Sequence, residues 1–200
     1  ATTGKLWTMS KKFWKNIWDK KGASDSWDLL YLDGYEHLKI DFDSKEICNK
    51  IIELMNIKPG ESILEVACGA GFLARELQEY EYAGVDYSEL IIDKHKKMFP
   101  SHNVGVSESN SLSFENKSYD NVFCFGLFQY LLNDNYAEQT ISEMKRVARK
   151  GIFLGDLKTQ TTRKEHFVYP KSKLVENGFN ISPCLYNSND VERFNASYRI

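Results

Sequence analysis

Glu65 stands inside the apolar run 62–67, and Gly69 and Gly71 follow it at once. With Ala74 the two glycines complete G-x-G-x-x-A, the spacing of a turn whose backbone closes on a dinucleotide pyrophosphate. Two later positions repeat the arrangement of a polar group at the end of an apolar run. Asp86 closes 82–86, 21 residues beyond Glu65 (86 − 65), where a carboxylate can accept hydrogen bonds from ribose hydroxyls. Glu108 follows 103–107, and with the amides of Ser109 and Asn110 it could meet an adenine edge. These residues point to an adenosine-bearing ligand, but the glycine spacing describes a geometry and names no ligand.

The elements that must position them follow from periodicity. Beyond about residue 44, short β-branched or aromatic runs alternate with helical patterns, the mark of a parallel sheet with crossover helices. Ser44 suits a helix N-cap, and Pro59 with Gly60 ends that helix. Strands are expected at 62–67, 82–86, 103–107, 121–126 and 151–156. Helices are expected from about Phe72, from Ser88 to Met98 and from about Tyr136 to Arg149. A further helix in 169–179 starts near Pro170 and stops at Gly178. The last two strands, 180–186 and 193–200, are joined by too few residues for a crossover helix, so they must form an antiparallel hairpin. The expected class is α/β: a doubly wound, mostly parallel sheet ending in one reversed strand.

Bulk composition narrows the function. Two hundred residues suffice for one domain with a sizeable core, and 42% hydrophobic and 27% charged residues are ordinary values. A net charge of −2 gives no basic face for neutralising phosphates, so nucleic acid is not an expected partner. Cys48, Cys68, Cys124 and Cys184 are dispersed without a C-x-x-C pair, which argues against a metal site and for a reducing compartment. The N-terminus has no apolar segment of signal-peptide type. The longest apolar run, 122–132, is too short to span a bilayer and is interrupted by Gln129. A cytoplasmic protein is expected, with no metal.

The succession E-x-A-x-G-x-G, G-V-D-Y-S-E, E-S-N-S-L-S-F and S-Y-D-N-V-F resembles the class I S-adenosylmethionine-dependent methyltransferases, in particular their single-domain small-molecule branch. The likeness covers residues 44–200. It implies a Rossmann-like seven-stranded sheet of order 3-2-1-4-5-7-6 with helices on both faces. It also implies S-adenosylmethionine as cofactor and S-adenosylhomocysteine as product. Carried onto this sequence, Glu65, Ala67, Gly69 and Gly71 would hold the methionine portion and Asp86 the ribose. Tyr87, Glu108 and Ser109 would meet the adenine, and Cys124 would border the sulfonium. The family often has Gly at the place of Ala67 and Asp at that of Glu108, and its His-His pair after the fourth strand is Gln129-Tyr130 here. Charge agrees with the resemblance: an ammonium and a sulfonium suit Glu65, whereas a pyrophosphate would be repelled by it.

Two regions could form the acceptor side. Residues 1–43 form an aromatic-rich helical extension holding all four tryptophans, and Trp14, Ile17 and Trp18 share a helical face ringed by Lys11, Lys12, Lys15 and Lys20. It reads as a lid over cofactor and acceptor, as an extra core helix, or as a basic membrane-surface helix. Gly34 gives a turn that would let Tyr31, Tyr35 and His37 face the site. The second region, after the fifth strand, gathers Lys158, Arg163, Lys164, His166, Tyr169 and Lys171, groups suited to an anionic acceptor. The substrate-binding set is therefore Tyr31, Tyr35, Gln129, Arg163 and Tyr169, and the catalytic candidates are His37, His166 and Tyr130. The expected activity is O- or N-methylation of a small molecule by a monomer or homodimer. The alternatives are an inactive cofactor-binding partner subunit and an NAD-dependent oxidoreductase.

Overall fold

Every residue of β1 (Ser62–Val66) is buried, which places this strand at the centre of a sheet covered on both faces. The computed structural model, which describes residues 3–38 and 42–200, shows that arrangement; in the first helix its side chains are described from Lys11 onward, so Trp7 lies outside them. Parallel neighbours β2 (Glu81–Asp86) and β4 (Tyr119–Phe125) flank β1, with β3 (Asn103–Val106) and β5 (Ala148–Lys158) beyond them. The hairpin of β6 (Asn180–Pro183) and β7 (Arg193–Arg199) closes the chain, and β7 runs antiparallel to β5. The sheet order is β3-β2-β1-β4-β5-β7-β6, as the resemblance implied. Strand order reverses between β1 and β4, which puts the ligand crevice at their carboxyl ends.

Alternation along the strands separates two cores. On β4, Val122 and Cys124 face the core under α5 (Asp134–Val147), with Met144 and Ile152. Phe123 and Phe125 face the opposite core under α3 (Ser44–Met55), with Ile47, Ile51 and Phe153.

The helices differ from the sequence expectation at three points. Asp43 caps α3, accepting from the Lys45 and Glu46 amides. Ser44 is instead buried, its hydroxyl donating to Glu76 and accepting from Arg75. The helix expected from about Phe72 is a single 3₁₀ turn, Ala74–Glu76. The crossover 67–80 must leave β1, cross the sheet face and return to β2, and it spends its apolar residues Phe72, Leu73 and Leu77 on the core under α3. The helix expected over 136–149 spans Asp134–Val147, capped by Asn133, and Ala148 already belongs to β5. By contrast, Ser88 caps α4 (Glu89–Met98) as expected, its hydroxyl accepting from the Ile91 amide. α6 (Lys171–Glu176) follows Pro170 and ends before Gly178.

The N-terminal helix α1 (Thr3–Ala23) lies across α4. Gly22 makes the close approach possible, since a Cβ there would stand 2.5 Å from the Leu90 carbonyl carbon. The Ser88 hydroxyl donates to Asp19 and Lys94 donates to the Ser24 carbonyl, so the extension is tied to the cap and body of α4. The one-turn α2 (Leu29–Leu32), capped by Asp28, leads into a strap that returns over the carboxyl ends of the strands. No described helix is long and apolar enough to cross a membrane.

Candidate active site

The glycine loop, β2 end and β4 end enclose a cavity of about 100 Å³, floored by Glu65, Gly69 and Asp86 and roofed by Trp14, Trp18 and Tyr35.

Three carboxyls face the cavity, those of Glu65 and Asp86 buried and that of Asp33 half-buried. Glu65 accepts a hydrogen bond from the Tyr82 hydroxyl at 2.8 Å, and burial pushes its pKa well up. The pair is built on Gly84 of β2, where a Cβ would meet the Tyr82 hydroxyl at 2.5 Å. Asp86 accepts from the Ser88 amide at 2.9 Å and the Gly69 amide at 3.3 Å. Burial outweighs those bonds and raises it to about 6. The third, Asp33, comes from the strap after α2. It accepts from the Ala70 amide at 2.6 Å and the Phe72 amide at 2.9 Å, and burial raises it to about 7. Sequence reasoning missed Asp33, because an Asp-Gly pair reads as local turn chemistry. Gly34 does make that turn, at φ 84°.

The loop glycines serve these contacts. Gly69 has φ 55°, and a Cβ there would stand 2.7 Å from Asp33 Cγ. Its clearance is thus filled by the chain's own carboxylate. Gly71 has φ 107°, and its open side is filled by Phe99 and His95. His95 is fully buried and donates from Nδ1 to the Gly69 carbonyl at 2.8 Å, which fixes that tautomer because a carbonyl only accepts. Its Nε2 then accepts from His102 at 3.0 Å. Burial holds His95 down to about 4, so it remains the neutral donor that orients the loop. Ala67, the alanine before the loop, takes φ 62°, a conformation costly for a side chain and spent at the cavity wall.

At the far end, Glu108 accepts from the Tyr136 hydroxyl at 2.7 Å and pairs with Lys11 of α1 at 2.7 Å. Ser109 shares a 3.1 Å hydrogen bond with Thr140. The roof is aromatic: Tyr130 meets Trp14 and Trp18 edge-on, with centroids 4.6 and 5.2 Å apart. The Tyr35 hydroxyl lies over Gly126 at the end of β4, where a Cβ would approach it to 2.9 Å.

The cavity therefore brings together Glu65, Ala67, Gly69, Asp86, Tyr87, Glu108, Ser109, Tyr35 and Tyr130. Other expected site residues lie elsewhere. Cys124 points into the core under α5, because strand alternation gives the cavity to Phe125. Tyr169 is also core, packed on Phe128. Gln129 is buried behind the wall and donates to the Gly126 carbonyl. Gly71 faces Phe99, away from the cavity. The Tyr31 carbonyl accepts from Lys21 at 2.6 Å, and that ammonium also lies over the Tyr31 ring. His37 and Arg163 are exposed. His166 stacks on the outer face of Trp14 at 5.3 Å, one ring removed from the cavity. Among the described residues there is no cluster of three metal-ligating side chains.

A family model described as a methyltransferase domain matches residues 63–151, from β1 into β5, and so takes in the glycine loop, Asp86, Glu108 and β4. Among solved structures, the chain is similar to magnesium protoporphyrin IX methyltransferase from Synechocystis PCC 6803, crystallised with S-adenosylmethionine. That match has a TM-score of 0.65 and 14% identity, and covers 95% of this chain and 96% of the other. Similarity extends to phosphoethanolamine N-methyltransferase 1 of Haemonchus contortus, in complex with phosphoethanolamine and S-adenosylhomocysteine. Here the TM-score is 0.71 and the identity 16%, over 95% of this chain and 48% of that one. An S-adenosylmethionine-dependent methyltransferase from Clostridium acetobutylicum matches at TM-score 0.65 and 13% identity, over 80% of this chain and 93% of its own. At such identities these likenesses are of fold. No curated protein sequence matches the chain.

Proposed function

We propose that this chain is a class I S-adenosylmethionine-dependent methyltransferase that methylates the oxygen or nitrogen of a small, anionic acceptor; the matched methyltransferase-domain segment and the shared fold support it. One observation carries the choice of cofactor: Glu65, Asp86 and Asp33 face one cavity, each raised by burial. A cavity lined this way resists negative charge and is relieved by a ligand with positive charge, which fits an ammonium and a sulfonium. When bound, the cofactor supplies an activated methyl group for in-line displacement.

The chain's part is to bind, align and exclude water. The carbonyl of Gly69, oriented by His95, and the Glu65 carboxyl suit the cationic methionine end, and Asp86 suits the ribose hydroxyls. Ser109 and Glu108 lie where the adenine would sit. The N-terminal helix acts as the lid, with Trp14 and Trp18 closing the space above Tyr130. Burial keeps Tyr130 protonated, at about 12, and raises Tyr35 as well, so both hydroxyls orient an acceptor by donation and neither serves as a base near neutral pH. Electrostatics support an anion's approach on this side: after burial, the charges of Lys158, Arg163 and Arg193 push the imidazoles of both His37 and His166 down. The four cysteines are buried free thiols, in keeping with an enzyme of the reducing cytoplasm.

Calorimetric titration with S-adenosylhomocysteine and with NADH tests the reading. Binding of the first alone is expected; binding of NADH alone would refute it.

A further inference from the structure

The strap that follows α2 reaches the glycine loop through one side chain. Asp33 seats both carboxylate oxygens on loop amides, Oδ1 on Ala70 and Oδ2 on Phe72. Gly69 lacks the Cβ that would exclude it. Two residues further on, Tyr35 rests on Gly126, so the same strap touches the loops after β1 and β4, the two sides of the ligand crevice.

This placement changes what the glycine loop can hold. In a loop of this kind free amides favour an anion, and here an anion of the protein already occupies two of them. A second carboxylate brought to that spot would be repelled. The remaining acceptor positions of Asp33 face a cavity that also holds Glu65 and Asp86, and the lining cation Lys11 is already paired with Glu108. Lys21 donates to the Tyr31 carbonyl and to Glu36.

We propose that Asp33 is a cofactor-binding residue supplied by the N-terminal extension: with the roof closed, its carboxylate accepts the α-ammonium of the cofactor's methionine end and thereby ties closure to the cofactor's charge. This rests on the methyltransferase reading and adds to it a binding group from outside the matched segment 63–151. The division of labour is physical. The sheet supplies the ribose and adenine contacts, and the lid supplies the group that recognises the amino-acid tail.

The test compares two ligands across two variants, Asp33→Asn and Asp33→Ala, by calorimetry at pH 7.5. S-adenosylhomocysteine carries the ammonium, and 5′-methylthioadenosine has the nucleoside and thioether without the amino-acid tail. Both variants should lose roughly 10- to 100-fold in affinity for S-adenosylhomocysteine, the range for one charge-assisted hydrogen bond. Affinity for methylthioadenosine should stay within about twofold, the scatter allowed when no contact is removed. Equal loss for both ligands would overturn the proposal and make Asp33 a scaffold for the loop. Unchanged or tighter binding of S-adenosylhomocysteine would overturn it too, the tighter case marking Asp33 as a competitor for the loop. Failure of the unsubstituted protein to bind S-adenosylhomocysteine would instead sink the methyltransferase reading itself.

Discussion

Replacing Asp33 by Asn should flatten the pH dependence of stability of the ligand-free protein. Burial raises this carboxyl from 3.8 to about 7, against the opposing pull of the Ala70 and Phe72 amides and of Lys21. The folded-state pKa thus lies above the unfolded one. The contribution of Asp33 to stability is complete below pH 3.8 and is lost as the pH climbs to about 7. A shift of about three units at roughly 1.4 kcal/mol each gives a total of about 4 kcal/mol. Roughly 2 kcal/mol of that falls between pH 5 and pH 7. Asn has no proton to lose, so its own cost is constant with pH. That cost is one amide donor left facing an NH₂ group, about 1–3 kcal/mol.

Urea unfolding of both proteins at pH 5, 6, 7 and 8, without ligand, measures the difference directly. The variant should gain on the wild type by roughly 2 kcal/mol from pH 5 to 7, about 4–8 °C in Tm for a domain this size, and then change little to pH 8. Asp86 and Glu65 act with the same sign but are present in both proteins, so they largely cancel. Parallel stability curves across this range would show that Asp33 is not held in the folded chain as an uncomfortable buried charge.

Three further outcomes follow from the site. Asp86→Ala should weaken S-adenosylhomocysteine binding by roughly 10-fold or more, the effect of losing a charged acceptor; calorimetric affinity equal to wild type would remove Asp86 from the ribose. Gly126→Ala forces a side chain onto φ 72° and into the Tyr35 hydroxyl. It should cost about 1–2 kcal/mol in urea unfolding and displace the strap, seen as faster proteolysis around residue 35. Arg163→Ala should raise the acceptor KM several-fold with cofactor affinity intact, checked by initial rates once an acceptor is in hand. Unaltered kinetics would make the basic rim a solvated face.

Much of the cavity lining was legible because it is local. Glu65 with Gly69, Asp86 and Glu108 each stand at the end of a strand, and strand ends can be read from runs of apolar residues a few positions long. What failed was orientation within an element. Cys124 and Tyr169 sit near the crevice in sequence, yet alternation on β4 and packing on Phe128 turn them into the core. The missing helix after Gly71 failed for a related reason. Its apolar residues satisfy a helical pattern, but the short crossover and the core under α3 take them into a 3₁₀ turn.

The sequence by itself determined the sheet, its reversed final strand and the carboxylates at the strand ends, because each depends on periodicity, spacing and loop length within short stretches of chain. Only the tertiary structure decided which groups meet over the glycines. Asp33 reaches Ala70 and Phe72, Tyr35 reaches Gly126 and His95 reaches Gly69 across separations that no local pattern encodes. Those contacts arise where α1 and the strap fold back over the crevice, and burial there sets the charge of the site.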